Sequence, residues 1–171
     1  MVSNRTLSRA GLLLALTLLF QSLRMIIPLP PFLSMFIIGT LVNACLIIAA
    51  RTVGIKPAAV IAVLAPIIAY FQQLLVLPVF IIPVAIGNVT YITLFKTGIK
   101  KGPLKALLAA ALAKASILYL CFQYIMLIVE FPSPVAKGIM MIMSWPQFVT
   151  ALLGGLVAIY VIRRLSLPNR E

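Results

Sequence analysis

The chain is 171 residues long, 64% apolar and only 9% charged, whereas soluble domains carry about 25% charged residues, so the ordinary soluble class is excluded. Its 14 Lys and Arg face 2 acidic residues and no His, and the two acids are Glu130 and Glu171, so paired-carboxylate catalysis, a Ser-His-Asp triad and a His-containing metal site all lack their parts. No G-x-x-x-x-G-K-[ST] loop is present, which excludes ATP hydrolysis by that route.

With a mean hydropathy of +1.22, the chain reads as one all-α integral membrane domain over 1–171. The first span is expected at 7–27. Arg5 and Arg9 precede an apolar run as in a signal peptide, but no small-x-small cleavage site follows, so the span is read as uncleaved. It ends at the connector Pro28-Leu29-Pro30-Pro31. The second span, 32–50, is free of charge until Arg51. No charged residue then occurs from Pro57 to Phe95, a run of about 58 Å at the helical rise, nearly twice the ~30 Å hydrocarbon core. The chain must fold back within it, and Gln72, Gln73 and Pro78 form the one cluster suited to a turn. This gives spans at 57–73 and 78–95, followed by 104–129 and 139–162. Pro57 and Pro103 stand where helices begin, since a first-turn proline loses no hydrogen bond.

The bases support six spans. Of the 14, only Arg24 and Lys137 fall on one side and Lys114 inside a span; the others gather at the opposite side. Lys and Arg accumulate in cytoplasmic loops, so both termini are expected in the cytoplasm. Because the bases lie between apolar runs rather than on a solvated face, the +12 charge reports topology and not a nucleic-acid partner. Cys45 and Cys121 lie in apolar runs without C-x-x-C spacing and read as small buried hydrophobes.

Polar groups inside the spans carry most of the information, because each needs a partner in a medium that offers none. Thr17, Gln21 and Arg24 fall at i, i+4 and i+7, one stripe climbing toward the outer side; Arg24 either snorkels to the headgroups or faces a site. Gln72 ends span three at the same level. In span four, Pro83 and Gly87 loosen the backbone beside Asn88, which either lines a cavity or caps a freed carbonyl. Asn43 reads as interhelical glue. Lys114 lies roughly 15 Å deep with no acid in any span. Its partner is therefore a carbonyl, an amide, water or an external anion, unless it snorkels. Gln123 and Tyr124 return to the outer level. Ser144-Trp145-Pro146-Gln147 joins an aromatic plate and an amide to a proline break; Trp145 belongs either to the interfacial belt or to a stacking surface for a planar ligand. Ala151, Gly154, Gly155 and Ala158 form a face for close helix packing, and Gly11 and Ala15 form a shorter small-x-x-x-small pair.

Six short spans with termini inside, a Pro-rich first outer loop, and segments such as 36–50 (FIIGTLVNACLIIAA) and 82–91 (IPVAIGNVTY) resemble the substrate-binding S component of energy-coupling factor vitamin transporters, over the whole chain. The resemblance implies a multi-pass protein of the bacterial plasma membrane that captures a vitamin or precursor from outside. Delivery would be driven by a partner module of one transmembrane coupling subunit and two ATPases, with no cofactor. Its A-x-x-x-A docking motif maps onto Gly11 and Ala15, with glycine for the first alanine. Its ligand region maps onto Asn88, Tyr124, Trp145, Gln147 and residues 28–34, to which the polar stripe adds Gln21, Arg24, Gln72 and Lys114. With neither a nucleotide loop nor an intramembrane acid, the chain lacks an engine of its own. The alternatives are a passive small-solute facilitator and a non-transport membrane scaffold.

Overall fold

The computed structural model describes residues 4–28 and 30–165; Leu29, Arg170 and Glu171 lie outside them. The described residues form seven α-helices and no strand: α1 Asn4–Ile26, α2 Pro31–Thr52, α3 Ile55–Phe71, α4 Ile81–Gly98, α5 Pro103–Ile128, α6 Ser133–Ile142 and α7 Trp145–Arg164. Short 3-10 turns, Pro78–Phe80 and Ile99–Lys101, flank α4. Five stretches are long and apolar enough to cross a membrane: α1, α2, Pro78–Lys101, α5, and the α6–α7 stretch. The remaining apolar helix, α3, has 17 residues, about 26 Å at the helical rise.

The helix boundaries follow from local chemistry. Pro31 and Pro103 occupy the first turns of α2 and α5, where a missing N–H is tolerated. Gly102 precedes Pro103 with φ 114°, a conformation that only glycine adopts cheaply. The expected fold-back lies where two amides meet: α3 stops at Phe71, and Gln73 takes φ 58°. Its N–H donates to the Tyr70 carbonyl and that of Leu74 to the Ala69 carbonyl, both at 2.9 Å. This is a Schellman cap with glutamine in the position glycine usually fills.

Two expectations are corrected. The stretch 139–162 is not one helix. It lies in α6 and α7, separated at Met143 and Ser144, where Pro146, with no N–H to give the carbonyl four residues before it, favours the first turn of a new helix over continuation of the old one. Pro83 does not loosen span four, since it lies in the first turn of α4, where its N–H would have no partner to lose. The proline that interrupts a hydrogen-bond ladder is Pro66, inside α3.

The most extensive packing joins α2 to α7 and α4 to α5, with α3 against α4 and α5 against α7. The small-residue face of α7 makes the first of these contacts possible. A Cβ on Gly154 would stand 2.5 Å from the Thr40 carbonyl oxygen and 2.9 Å from the Ala44 nitrogen, while one on Gly155 would collide with Leu107. Two apolar clusters result. One is built around Leu46, Ile47, Ile61, Tyr91, Phe95 and Leu107; the other around Leu75, Phe80, Leu118, Phe122 and Ile139. On α3, α4 and α5 the residues between the two clusters include Ala65, Pro66, Asn88 and Lys114, and this intermediate level is where the polar groups meet.

Candidate functional site

Lys114 is 4% exposed and lies eleven residues into α5, about 16 Å from its start. Its Nζ donates to Asn43 Oδ1 on α2 at 2.6 Å and to Asn88 Oδ1 on α4 at 2.8 Å, and it stands 5.4 Å from the centroid of the Tyr91 ring, within the range of a cation–π attraction. Each neighbour is fixed in turn. Asn43 Nδ2 donates to the Gly39 carbonyl at 2.8 Å and reaches Thr150 Oγ1 on α7 at 3.5 Å. The Tyr91 hydroxyl donates to the Ala151 carbonyl at 2.6 Å.

Asn88 Nδ2 donates to the Ala62 carbonyl on α3 at 3.3 Å. That carbonyl is four residues before Pro66, which has no N–H to give it. The freed carbonyl expected near Asn88 therefore exists, but it belongs to α3 rather than to the helix that carries Asn88. One lysine nitrogen, two amides and a phenol thus tie α2, α3, α4, α5 and α7 together at a single level. Of the partners considered for Lys114, side-chain amides are the ones observed, and Asn43 does join helices.

A cavity of about 180 Å³ opens beside this network. Five of the expected site residues border it, Gln21, Arg24, Asn88, Lys114 and Gln147, and so does Asn43. No acidic residue is among the described residues that line it. Gln21, 7% exposed, donates from Nε2 to the Ala65 carbonyl at 3.2 Å, while its Oε1 has no partner. Ser34, also buried, borders the cavity with an unpartnered Oγ. Arg24 is exposed and can present its charge at the rim. Ile142 and Met143, at the break between α6 and α7, complete the lining from that side.

Three expected site residues are placed elsewhere. Gln72 Nε2 donates to Ser22 Oγ at 2.9 Å, which pins the end of α3 to α1. Tyr124 is 65% exposed and borders a separate, apolar groove with Val79, Ile82 and Leu120. Trp145 is 52% exposed; its ring lies 5.8 Å from Phe36 and 6.5 Å from Phe32, so it stacks on the chain's own aromatics at the start of α2. The bulk of a Trp preceding a helix-starting proline suits such a surface cluster better than a polar cavity.

Ser34 falls at the end of the 28–34 region to which the resemblance pointed, whereas Gly39 and Thr150 were not singled out by the sequence. A signal existed: Met35, Gly39 and Asn43 repeat at i+4, and Gln147 and Thr150 at i+3, so each set lies on one helix face. Gly11 and Ala15, expected to dock a partner, are exposed on the outside of α1, and a Cβ on Gly11 would meet nothing within 4 Å. No protein-family model, curated protein or solved structure matches the chain.

Proposed function

We propose that the chain is the membrane-embedded substrate-binding S component of an energy-coupling-factor importer. It would lie in the bacterial plasma membrane with both ends in the cytoplasm and capture a small water-soluble vitamin or precursor. The observation that carries this reading is the cavity, where Lys114, Asn88, Gln21 and Gln147 converge and two buried polar atoms, Gln21 Oε1 and Ser34 Oγ, remain unpartnered. In a bilayer interior each unsatisfied group costs several kcal/mol. A bundle serving only as a scaffold would gain by filling that level with apolar side chains.

In this reading α1 to α5 and α7 are the six crossings, with α3 the shortest and α6 lying at the outer end. The bases at the opposite end, among them Arg5, Arg9, Arg51, Lys56, Lys100, Lys101, Arg163 and Arg164, face the cytoplasm. The chain carries no nucleotide loop, so energy comes from a partner module of one coupling subunit and two ATPases. The open Gly11–Ala15 face of α1 supports a docking role, because small residues let a second helix approach closely.

Replacing both Gly11 and Ala15 by Leu tests the assignment. Co-purification with the partner module should be lost while solute binding is kept, since neither residue borders the cavity. Unchanged co-purification of the double variant would refute the docking role, and a wild-type protein that binds no solute would refute the reading as a whole.

A further inference from the structure

The cavity also constrains the chemistry of its occupant. In its charged form Lys114 has three N–H groups, and two are taken by Asn43 Oδ1 and Asn88 Oδ1. Both acceptors are neutral, so they satisfy hydrogen bonds without offsetting charge. Neither amide can reverse without loss, because Asn43 Nδ2 is committed to the Gly39 carbonyl and Asn88 Nδ2 to the Ala62 carbonyl. The two fixed acceptors accommodate Nζ with or without its third proton, and an anion bound beside it would stabilise the charged form in a membrane interior where an uncompensated charge is costly. Arg24 adds a second positive charge to the lining, and no acidic residue opposes them among the described residues that line the cavity. A cation would meet repulsion here, and a neutral solute would leave the charge unbalanced.

Gln21 supplies the second constraint. Its Nε2 is held by the Ala65 carbonyl, so the free Oε1 can only accept. An anionic group cannot satisfy it, and the occupant must bring an N–H or O–H of its own. Size supplies the third: about 180 Å³ is below the roughly 300–1,000 Å³ of pockets for drug-sized ligands.

Building on the binding role proposed above, we infer that the occupant is a small organic acid whose anionic group is bound by Lys114 and whose own hydrogen-bond donor is bound by Gln21.

The test uses wild-type protein in mild detergent, titrated with 4-hydroxybenzoate, lactate and pyroglutamate, each beside its carboxamide, and with choline. Affinity is read by calorimetry and thermal shift. At least one acid should bind, with its amide weaker by about 10- to 100-fold, the difference a charge-assisted hydrogen bond makes. Lys114→Gln should abolish that contrast, and Gln21→Leu should weaken the acid severalfold. The acid–amide comparison is made on the wild type, so it stands even if Lys114→Gln fails to fold. Amides or choline binding as well as the acids would overturn the anionic class while leaving a solute-binding protein. No binding by any member would overturn the small-acid assignment, and unchanged affinity in Gln21→Leu would remove Gln21 from the site.

Discussion

Asn88 serves two helices with one amide: Oδ1 accepts from Lys114 on α5, and Nδ2 donates to the Ala62 carbonyl that Pro66 leaves open on α3. Asn88→Leu should therefore destabilise the protein by about 1–3 kcal/mol, the cost of stranding buried polar partners, measured by thermal unfolding in detergent. Part of that loss should be recovered in a Pro66→Ala background, because alanine restores the N–H that the Ala62 carbonyl lacks. The double variant should accordingly be less destabilised than the sum of the singles; strict additivity would show that Asn88 and Pro66 act independently. Residue types made much of this legible. A lysine in an apolar span with no acid to pair with announces an unusual site, and an asparagine in each of two other spans offers acceptors. The expected bounds put both Pro66 and Pro83 inside spans, and what the sequence could not show was that Pro83 falls in a first turn and interrupts nothing. That depends on where each helix starts, and the 3-10 turn ahead of α4 moves its start by three residues.

At the level of elements, glutamine in the left-handed position of the α3 cap carries strain. Gln73→Gly should stabilise the protein by up to about 1 kcal/mol, the relief of left-handed strain less the added entropy of glycine. A lowered melting temperature would show that the Gln73 side chain has a contact of its own worth more than the strain. The opposite sign is expected at the α2–α7 contact. Gly154→Val would drive a side chain into backbone atoms of α2 that cannot turn aside, at a cost of about 1–3 kcal/mol or more, seen as loss of the folded fraction in detergent. The small-residue pattern of α7 made this interface visible, although not which helix it met. The break between α6 and α7 was half visible: Pro146 marked it, but the apolar run at 139–143 before it read as part of one continuous span, because hydropathy does not distinguish a crossing helix from a short one at the end of a bundle.

For the whole molecule, the six-crossing reading makes a direct prediction. In a variant with Cys45 and Cys121 replaced, a cysteine at Pro132 should react with an impermeant thiol reagent from outside, and one at Gly102 only after the membrane is opened. The reverse pattern would invert the topology. The positions of most helices could be read from charge-free runs and prolines, because the bilayer limits a chain to few solutions. Which helices are neighbours could not, since that is decided by the shape fit of side chains that all share the same apolar character. For the same reason Tyr124 and Trp145, placed at the site by their depth and by the family resemblance, belong to other surfaces.

The partners of Lys114 all come before it in the chain. Asn43, Asn88 and Tyr91 belong to helices that have already left the ribosome when α5 is made. Entering the bilayer alone, a lysine near the middle of a helix opposes insertion by about 2.5–3.5 kcal/mol. Because two amide oxygens and an aromatic ring precede it in the chain, the order of synthesis is expected to lower that barrier. A circular permutant that begins at Gly102 keeps the partners of Lys114 but presents Lys114 to the insertion machinery first. It should integrate less efficiently in a translation system supplied with membranes, and Lys114→Leu should restore that efficiency.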